Sequence, residues 1–301
     1  MKIVVLGVTG MLGHKMFQIL KNQFDSVIGF AYENVSQPPF DKVTLFQDAE
    51  IVEGVDVSNF QSLEEHLNQI KPDYIVNCVG IIKQRDAASA YIPSIELNAL
   101  LPHKLAAMAL KWGGRVIHFS TDCVFDGKRG SYSETDLSNA TDLYGKSKFL
   151  GEVQGENALT LRTSIIGREL TSHKSLLDWF LAQEGKTIKG YKNVIYSGVT
   201  TNQISEVVKM VIEKFPTLSG LYQVVADPIS KYDLLALAQD AFGVGIKMVP
   251  ETETISDRSM KGDKLKEATG YVSPPWPELM ANLANDPTPY KEWGVNPAPS
   301  T

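Results

Sequence analysis

Tyr144 and Lys148 stand four residues apart in the string Tyr144-Gly145-Lys146-Ser147-Lys148. On a helix that spacing puts a phenol and an ammonium on one face, one turn from each other. Thr121 lies 23 residues upstream (144 − 121), at the end of Val116-Ile117-His118-Phe119, an apolar run that reads as a buried parallel strand. A strand end and a facing helix can bring hydroxyl, phenol and ammonium together. Such a set can handle a carbonyl. Tyr144 gives or takes the proton, the Thr121 hydroxyl orients the oxygen, and the Lys148 charge draws the phenol pKa down from about 10 toward the working range. A Tyr-x-x-x-Lys pair alone is weak evidence, because such pairs are common on solvated helix faces. The surrounding elements decide its weight.

Lys2-Ile3-Val4-Val5-Leu6 is a short run rich in β-branched residues, and Gly7-Val8-Thr9-Gly10-Met11-Leu12-Gly13 follows at once. Leu12, Met16, Ile19 and Leu20 then mark one stripe of a helix. Strand, glycine turn and helix form the context of a dinucleotide-binding loop, here spaced G-x-x-G-x-x-G. Gly7, Thr9, Gly10, Met11, Leu12 and Gly13 are therefore candidate cofactor-binding residues, with the helix N-terminus offering free N–H groups to phosphates. A second strand, Val27-Ile28-Gly29-Phe30, ends at Ala31 rather than at an acid, with Glu33 two residues on. An acid at that tip would bind a ribose 2′-hydroxyl. Its absence, with Lys15 as a partner for a 2′-phosphate, leans toward NADPH and leaves NADH open.

Asp56-Val57 closes a short strand and could touch the adenine; a plain strand-end turn is an equal alternative. Ser58-Asn59-Phe60-Gln61 reads as a capping box with Ser58 at the N-cap, and Phe60, Leu63, Leu67 and Ile70 give the stripe of its helix. Tyr74-Ile75-Val76-Asn77-Cys78-Val79-Gly80 is the next buried strand. Asn77, Cys78 and Val79 fall at its carboxyl edge, where ligands bind in open α/β sheets. Lys83, in the polar loop that follows, could face a substrate or simply be solvated. A long helix from about Pro93 to Trp112 leads into the His118 strand. The first half is thus βαβαβαβ, an α/β fold with a Rossmann-type, doubly wound parallel sheet.

The 301 residues are 43% hydrophobic and 21% charged, ordinary for a chain with a sizeable core. The net charge of −6 argues against a nucleic-acid partner. No long apolar stretch or leader pattern is present, so no membrane partner and a cytoplasmic location are expected. Cys78 and Cys123 read as buried free thiols. The five histidines (14, 66, 103, 118 and 173) lack metal-ligand spacing, and no metal site is expected.

Gly7-x-x-Gly10-x-x-Gly13, Asn77-Cys78-Val79-Gly80, Ser120-Thr121-Asp122-Cys123-Val124-Phe125-Asp126-Gly127 and Tyr144-x-x-x-Lys148 together resemble the extended short-chain dehydrogenase/reductases, and within them the dTDP-4-dehydrorhamnose reductase branch. Leu161-Arg162-Thr163-Ser164 and Gly220-Leu221-Tyr222-Gln223-Val224-Val225 also follow its pattern, so the resemblance covers nearly the whole chain. It implies Thr121, Tyr144 and Lys148 as the catalytic set. It further implies hydride transfer from the nicotinamide to a 4-keto sugar carried on a nucleotide diphosphate, proton donation by Tyr144, and a hydrogen bond from Lys148 to the nicotinamide ribose. Two departures bear on the sugar. Cys123 stands where the family has Tyr, and Ser259 stands where an Arg-Pro pattern has Pro.

After Ser164 the pattern loosens, as expected of a smaller C-terminal substrate lobe. The expected organisation is a dinucleotide-binding domain over 1–167 with a return segment at 194–226, and a substrate lobe of 168–193 and 227–301. Arg258 and Lys261 are candidates for a substrate diphosphate, since the Arg fork donates two bonds at once; a surface basic cluster is the alternative. Cys123 and Lys83 complete the candidate substrate contacts. The proline-rich tail after Asn285 should be irregular, laid along the lobe or a partner. The leading reading is an NAD(P)H-dependent reductase of a nucleotide sugar. An epimerase that keeps its NAD is a second. A non-catalytic binding protein is a third, since the regulatory subunit of methionine adenosyltransferase resembles the same family. Dimers are common among such relatives, which leaves a homodimer open.

Overall fold

In the computed structural model, which describes residues 1–81, 90–171 and 174–294, seven parallel strands form the central sheet. In chain order they are β1 (Lys2–Leu6), β2 (Ser26–Phe30), β3 (Glu50–Val52), β4 (Tyr74–Asn77), β5 (Arg115–Thr121), β6 (Ala158–Thr163) and β7 (Gly220–Gln223), arranged β7-β6-β5-β4-β1-β2-β3. Both faces of the sheet are covered, which is why β1 carries no polar alternation. Ile3 and Val5 enter one core, with Met16, Phe17 and Val208, while Val4 and Leu6 enter the other, with Leu63, Leu67 and Leu105. Strand order reverses between β1 and β4, so a crevice opens at their carboxyl ends, next to the glycine loop.

Two local expectations are corrected. β3 stops at Val52, short of Asp56-Val57, because Gly54 turns the chain at φ +70°. Ser58 does not cap the next helix, Phe60–Ile70; its hydroxyl and N–H both go to Asp56 Oδ1, at 2.6 and 2.9 Å. Asn59 is the cap and accepts from the Ser62 N–H at 3.1 Å.

The long helix exists but changes pitch: Tyr91–Ser94 is α, Ile95–Leu100 is π, and Leu101–Leu110 is α again. Pro102 has no N–H to give the Asn98 carbonyl four residues earlier, so the ladder loosens there. Gly151 fills that approach; a Cβ on it would come within 1.9 Å of the Asn98 oxygen. The helix bearing Tyr144 thereby packs closely on the π segment.

In the second half, helix Thr201–Lys214, capped by Thr200, returns to the core beside Met11–Gln23. Val194–Tyr196 pairs with Ile229–Ser230 and with Ser256–Asp257, and Thr187–Tyr191 pairs with Lys247–Glu251. Val194–Tyr196, expected at the start of the return segment, thus pairs with strands of the later chain instead of joining the main sheet. The described part of the tail, 286–294, runs along helix Met11–Gln23 rather than along the lobe. Lys15 Nζ is buried and donates to Asp286 (2.9 Å), Thr288 (2.7 Å) and Gln18 (2.5 Å), and Tyr290 and Trp293 join the core. No described helix is long and apolar enough to cross a membrane.

Candidate active site

The crevice deepens into a cavity of about 940 Å³ that reaches from the glycine loop to the lobe. Gly7, Thr9, Gly10, Met11 and Leu12 line one end. Gly7 has φ +78°, and a Cβ on it would stand 2.9 Å from Val79 Cγ2. Gly13 does not line the cavity. A side chain there would strike the Gly7 carbonyl at 1.9 Å, so this glycine serves the close approach of helix to strand. Gly10 makes no side-chain cap, which leaves the first-turn N–H groups free for an anion. The loop therefore fits a dinucleotide pyrophosphate.

Tyr32, Glu33, Asp56 and Val57 line the outer part of this end, and Thr9 donates to Glu33 Oε2 at 2.9 Å. Lys15, expected to meet a 2′-phosphate, is committed to Asp286 behind the loop and does not line the cavity. Asn77, Cys78 and Val79 form the next wall. Asn77 Oδ1 accepts from the Val79 N–H at 3.1 Å, and burial pushes the Cys78 thiol up out of the reactive range.

Thr121, Tyr144 and Lys148 all line the same cavity. Thr121 ends β5, its Oγ1 accepting from the Cys123 N–H and donating to Asp122 Oδ1, both at 3.1 Å. Helix Leu143–Leu150 starts at an Asp142 cap and carries Tyr144 and Lys148. Gly145 lets its first turn meet the Cys123 carbonyl; a Cβ would stand 2.2 Å from that oxygen. Burial pushes the Tyr144 phenol up, as do Cys123 and Asp122, while a hydrogen bond with Thr121 opposes them. The expectation that Lys148 draws the phenol down is thus reversed: desolvation dominates, and Tyr144 stays protonated across the physiological range. Burial likewise lowers Lys148 to about 8, opposed by Glu152. Lys148 Nζ donates to the Phe119 carbonyl at 2.6 Å and lies 3.4 Å from His118 Nε2.

The third wall comes from the lobe. Arg258 reaches the cavity with its Nε–H held by the Phe125 carbonyl at 2.9 Å. Ser259 explains how its loop keeps shape without proline: its N–H donates to Asp257 Oδ1, and its Oγ accepts from the Ser131 N–H, both at 2.9 Å. Lys261 is exposed and away from the lining; its N–H is spent on the Tyr132 carbonyl. Lys231, which the sequence reading missed, lines the cavity instead. Cys123 lines it too, and Lys83 lies outside the described residues.

Behind the catalytic strand, Arg162 grips Glu152 with two bonds (2.8 and 2.7 Å), and Glu152 also accepts from Ser120 at 2.7 Å. Asn98 was missed as well. Its amide accepts from the Ile81 N–H (2.9 Å) and donates to the Ile81 carbonyl (3.1 Å) and Ser147 (3.2 Å), tying the end of β4 to the Tyr144 helix. The helix-interior Asn98-x-x-x-Pro102 was its signal in the sequence. Among the described residues no cluster of His, Cys, Asp or Glu could hold a metal ion.

A doubly wound parallel sheet, a glycine loop fitted to a dinucleotide and a Thr-Tyr-Lys set at the carboxyl edge of β5 define an extended short-chain dehydrogenase/reductase. The chain belongs to the family described as RmlD substrate binding domain, which it matches over residues 1–286. It is 29% identical to methionine adenosyltransferase 2 subunit beta of Danio rerio over 266 residues, 84% of this chain and 77% of that one. It is 26% identical to dTDP-4-dehydrorhamnose reductase of Aggregatibacter actinomycetemcomitans over 253 residues, 76% of this chain and 86% of that one. A dTDP-4-dehydrorhamnose reductase from Bacillus anthracis, solved with NADP, shares the fold at a TM-score of 0.73 and 18% identity, covering 94% of this chain and 98% of that one.

Proposed function

We propose that the protein reduces a 4-keto group on a nucleotide-diphosphate 6-deoxy sugar, with Tyr144 as the proton donor. The observation that carries this reading is that Thr121, Tyr144 and Arg258 line one cavity, with a hydrogen bond between Tyr144 and Thr121. A reduction needs an acid at the carbonyl oxygen, and burial keeps the phenol loaded as one. When bound, the nicotinamide dinucleotide supplies the hydride. The first-turn N–H groups at Met11 and Leu12 hold its pyrophosphate. Thr121 orients the carbonyl oxygen, Tyr144 gives it the proton, and Lys148 balances the phenolate left behind. Arg258 and Lys231 hold the substrate diphosphate. Glu33 disfavours a 2′-phosphate at the other end, so NADH is proposed over the NADPH expected from Ala31 and Lys15, although the Bacillus anthracis structure was solved with NADP.

The similarity to the Danio rerio subunit supports a second reading, a dinucleotide-binding regulatory protein without turnover. One experiment separates the two. NADH and NADPH oxidation is followed against a panel of 4-keto-6-deoxy nucleotide sugars, with calorimetry of cofactor binding alongside. Consumption with one sugar, cut roughly a hundred- to ten-thousand-fold in Tyr144→Phe with cofactor still bound, is the expected result. Full turnover in Tyr144→Phe would remove the proton-donor role. Tight cofactor binding with no turnover on any sugar would favour the regulatory reading.

A further inference from the structure

His118 is fully buried in the middle of β5, a polar ring in a strand of apolar neighbours. It lies beside Asn77 across the β4–β5 pairing and reaches Lys148 on the opposite side. The hydrogen bonds around it fix where its proton sits. The Val79 N–H can only donate, and it points at Asn77 Oδ1 (3.1 Å), so the Asn77 amide cannot be turned the other way. Its Nδ2 then faces His118 Nδ1 at 3.1 Å. An amide nitrogen only donates, so Nδ1 must offer its lone pair. Burial and the nearby Lys148 charge keep the ring neutral. A neutral imidazole that is unprotonated on Nδ1 carries its hydrogen on Nε2. That N–H faces Lys148 Nζ, 3.4 Å away.

An ammonium and an imidazole N–H are both donors and oppose each other, whereas a neutral amine can accept the Nε2 hydrogen and still donate to the Phe119 carbonyl (2.6 Å). We propose that His118 is a positioning residue that biases Lys148 toward its free-base form through the chain Val79–Asn77–His118–Lys148. His118 thereby sets the pH above which reductive turnover fails. The other groups facing this pair do not cancel the effect. Glu152, just past the end of the helix that bears Lys148, favours the ammonium but is held by Arg162. His103, on the helix covering β5, adds to the pressure on His118 and is itself bound to the Leu150 carbonyl. Asn98 has its oxygen taken by the Ile81 N–H. Tyr144 on the same helix is protonated and uncharged.

The consequence for turnover rests on the reductase reading; the tautomer and the Lys148 titration do not. The first test is therefore ¹⁵N NMR of the histidine rings and of the lysine amines in the protein alone. The expected result is a neutral His118 protonated on Nε2. In His118→Phe, the Lys148 titration should move up by about one pH unit, a tenfold change in proton activity. Asn77→Asp, which invites the proton onto Nδ1, should move it the same way. In turnover assays the alkaline limb of kcat should shift upward with it, while KM for the sugar stays put. A His118 protonated on Nδ1, or a Lys148 titration unmoved in a folded His118→Phe, would overturn the proposal. Unmeasurable turnover with the NMR result intact would count against the reductase reading alone.

Discussion

At the glycine-loop end the cavity is walled by main chain: the Gly7 and Gly10 N–H groups close the turn on the Phe30 and Gly7 carbonyls, and the first turn of helix Met11–Gln23 offers its N–H groups. At the lobe end it is walled by side chains, Arg258 and Lys231, borne on segments distant in the chain. A main-chain wall reads the part of a ligand shared by all dinucleotides, and its shape is set by where side chains must be absent. A side-chain wall reads what varies between substrates, and it can be redrawn one residue at a time. The same contrast holds in how each end is supported. The lobe end hangs on loop hydrogen bonds such as those of Ser259. The glycine end is backed by the C-terminal strap: His14 bonds the Gly10 carbonyl (2.9 Å) and the Tyr290 hydroxyl (2.8 Å), and Lys15 is clasped by Asp286.

Removing that backing should produce the largest effect. Asp286→Ala leaves the Lys15 ammonium buried without its carboxylate, a change that costs about 3–5 kcal/mol. Chemical denaturation should show the midpoint fall at unchanged m-value. If the strap shapes the loop, cofactor affinity should fall as well. A variant with full stability would show that Lys15 finds water or another acceptor, and the contrast between the two supports would then be false.

Arg258→Ala tests the side-chain wall. Loss of a hydrogen bond to a charged diphosphate is worth about 1.5–3 kcal/mol, roughly a ten- to hundredfold fall in kcat/KM, carried by KM for the sugar nucleotide. Stability and cofactor affinity should stay close to wild type. A fall in kcat at constant KM would mean that the guanidinium acts at the reacting centre, through Asp122, whose carboxyl it opposes burial in keeping ionised.

The two walls also differ in how far they could be read beforehand. Glycine spacing encodes main-chain geometry directly, so the loop, the strand–helix alternation of the first half and the Tyr144–Lys148 helix were legible in the sequence, whereas the order of the strands in the sheet came only with the structure. Lys231 was not, because its neighbours are set by how the lobe folds back. Lys261 was chosen on charge alone, and the bridge between Tyr132 and Met260 holds it outside. Lys15 misled for a related reason: a cation near the loop in sequence met a carboxylate 271 residues away. His118 was visible as a polar residue inside an apolar strand, but its role depends on Asn77 and Lys148, which sit on two other elements.

The smallest expected effect decides how selective the main-chain wall is. Glu33 is exposed at the mouth of the loop, tied to Thr9, and no cation lines that part of the cavity among the described residues. A carboxylate there repels a 2′-phosphate and can accept from a 2′-hydroxyl. Glu33→Gln removes the charge and keeps the shape. Because the group faces water, the repulsion it loses is screened, and the ratio of kcat/KM for NADH over NADPH should fall about fivefold rather than invert. Measured at two salt concentrations, the wild-type preference should shrink at the higher one while the variant's stays flat. A preference that ignores both the substitution and the salt would move selectivity off Glu33 and onto the loop backbone, making the glycine end a purely main-chain reader after all.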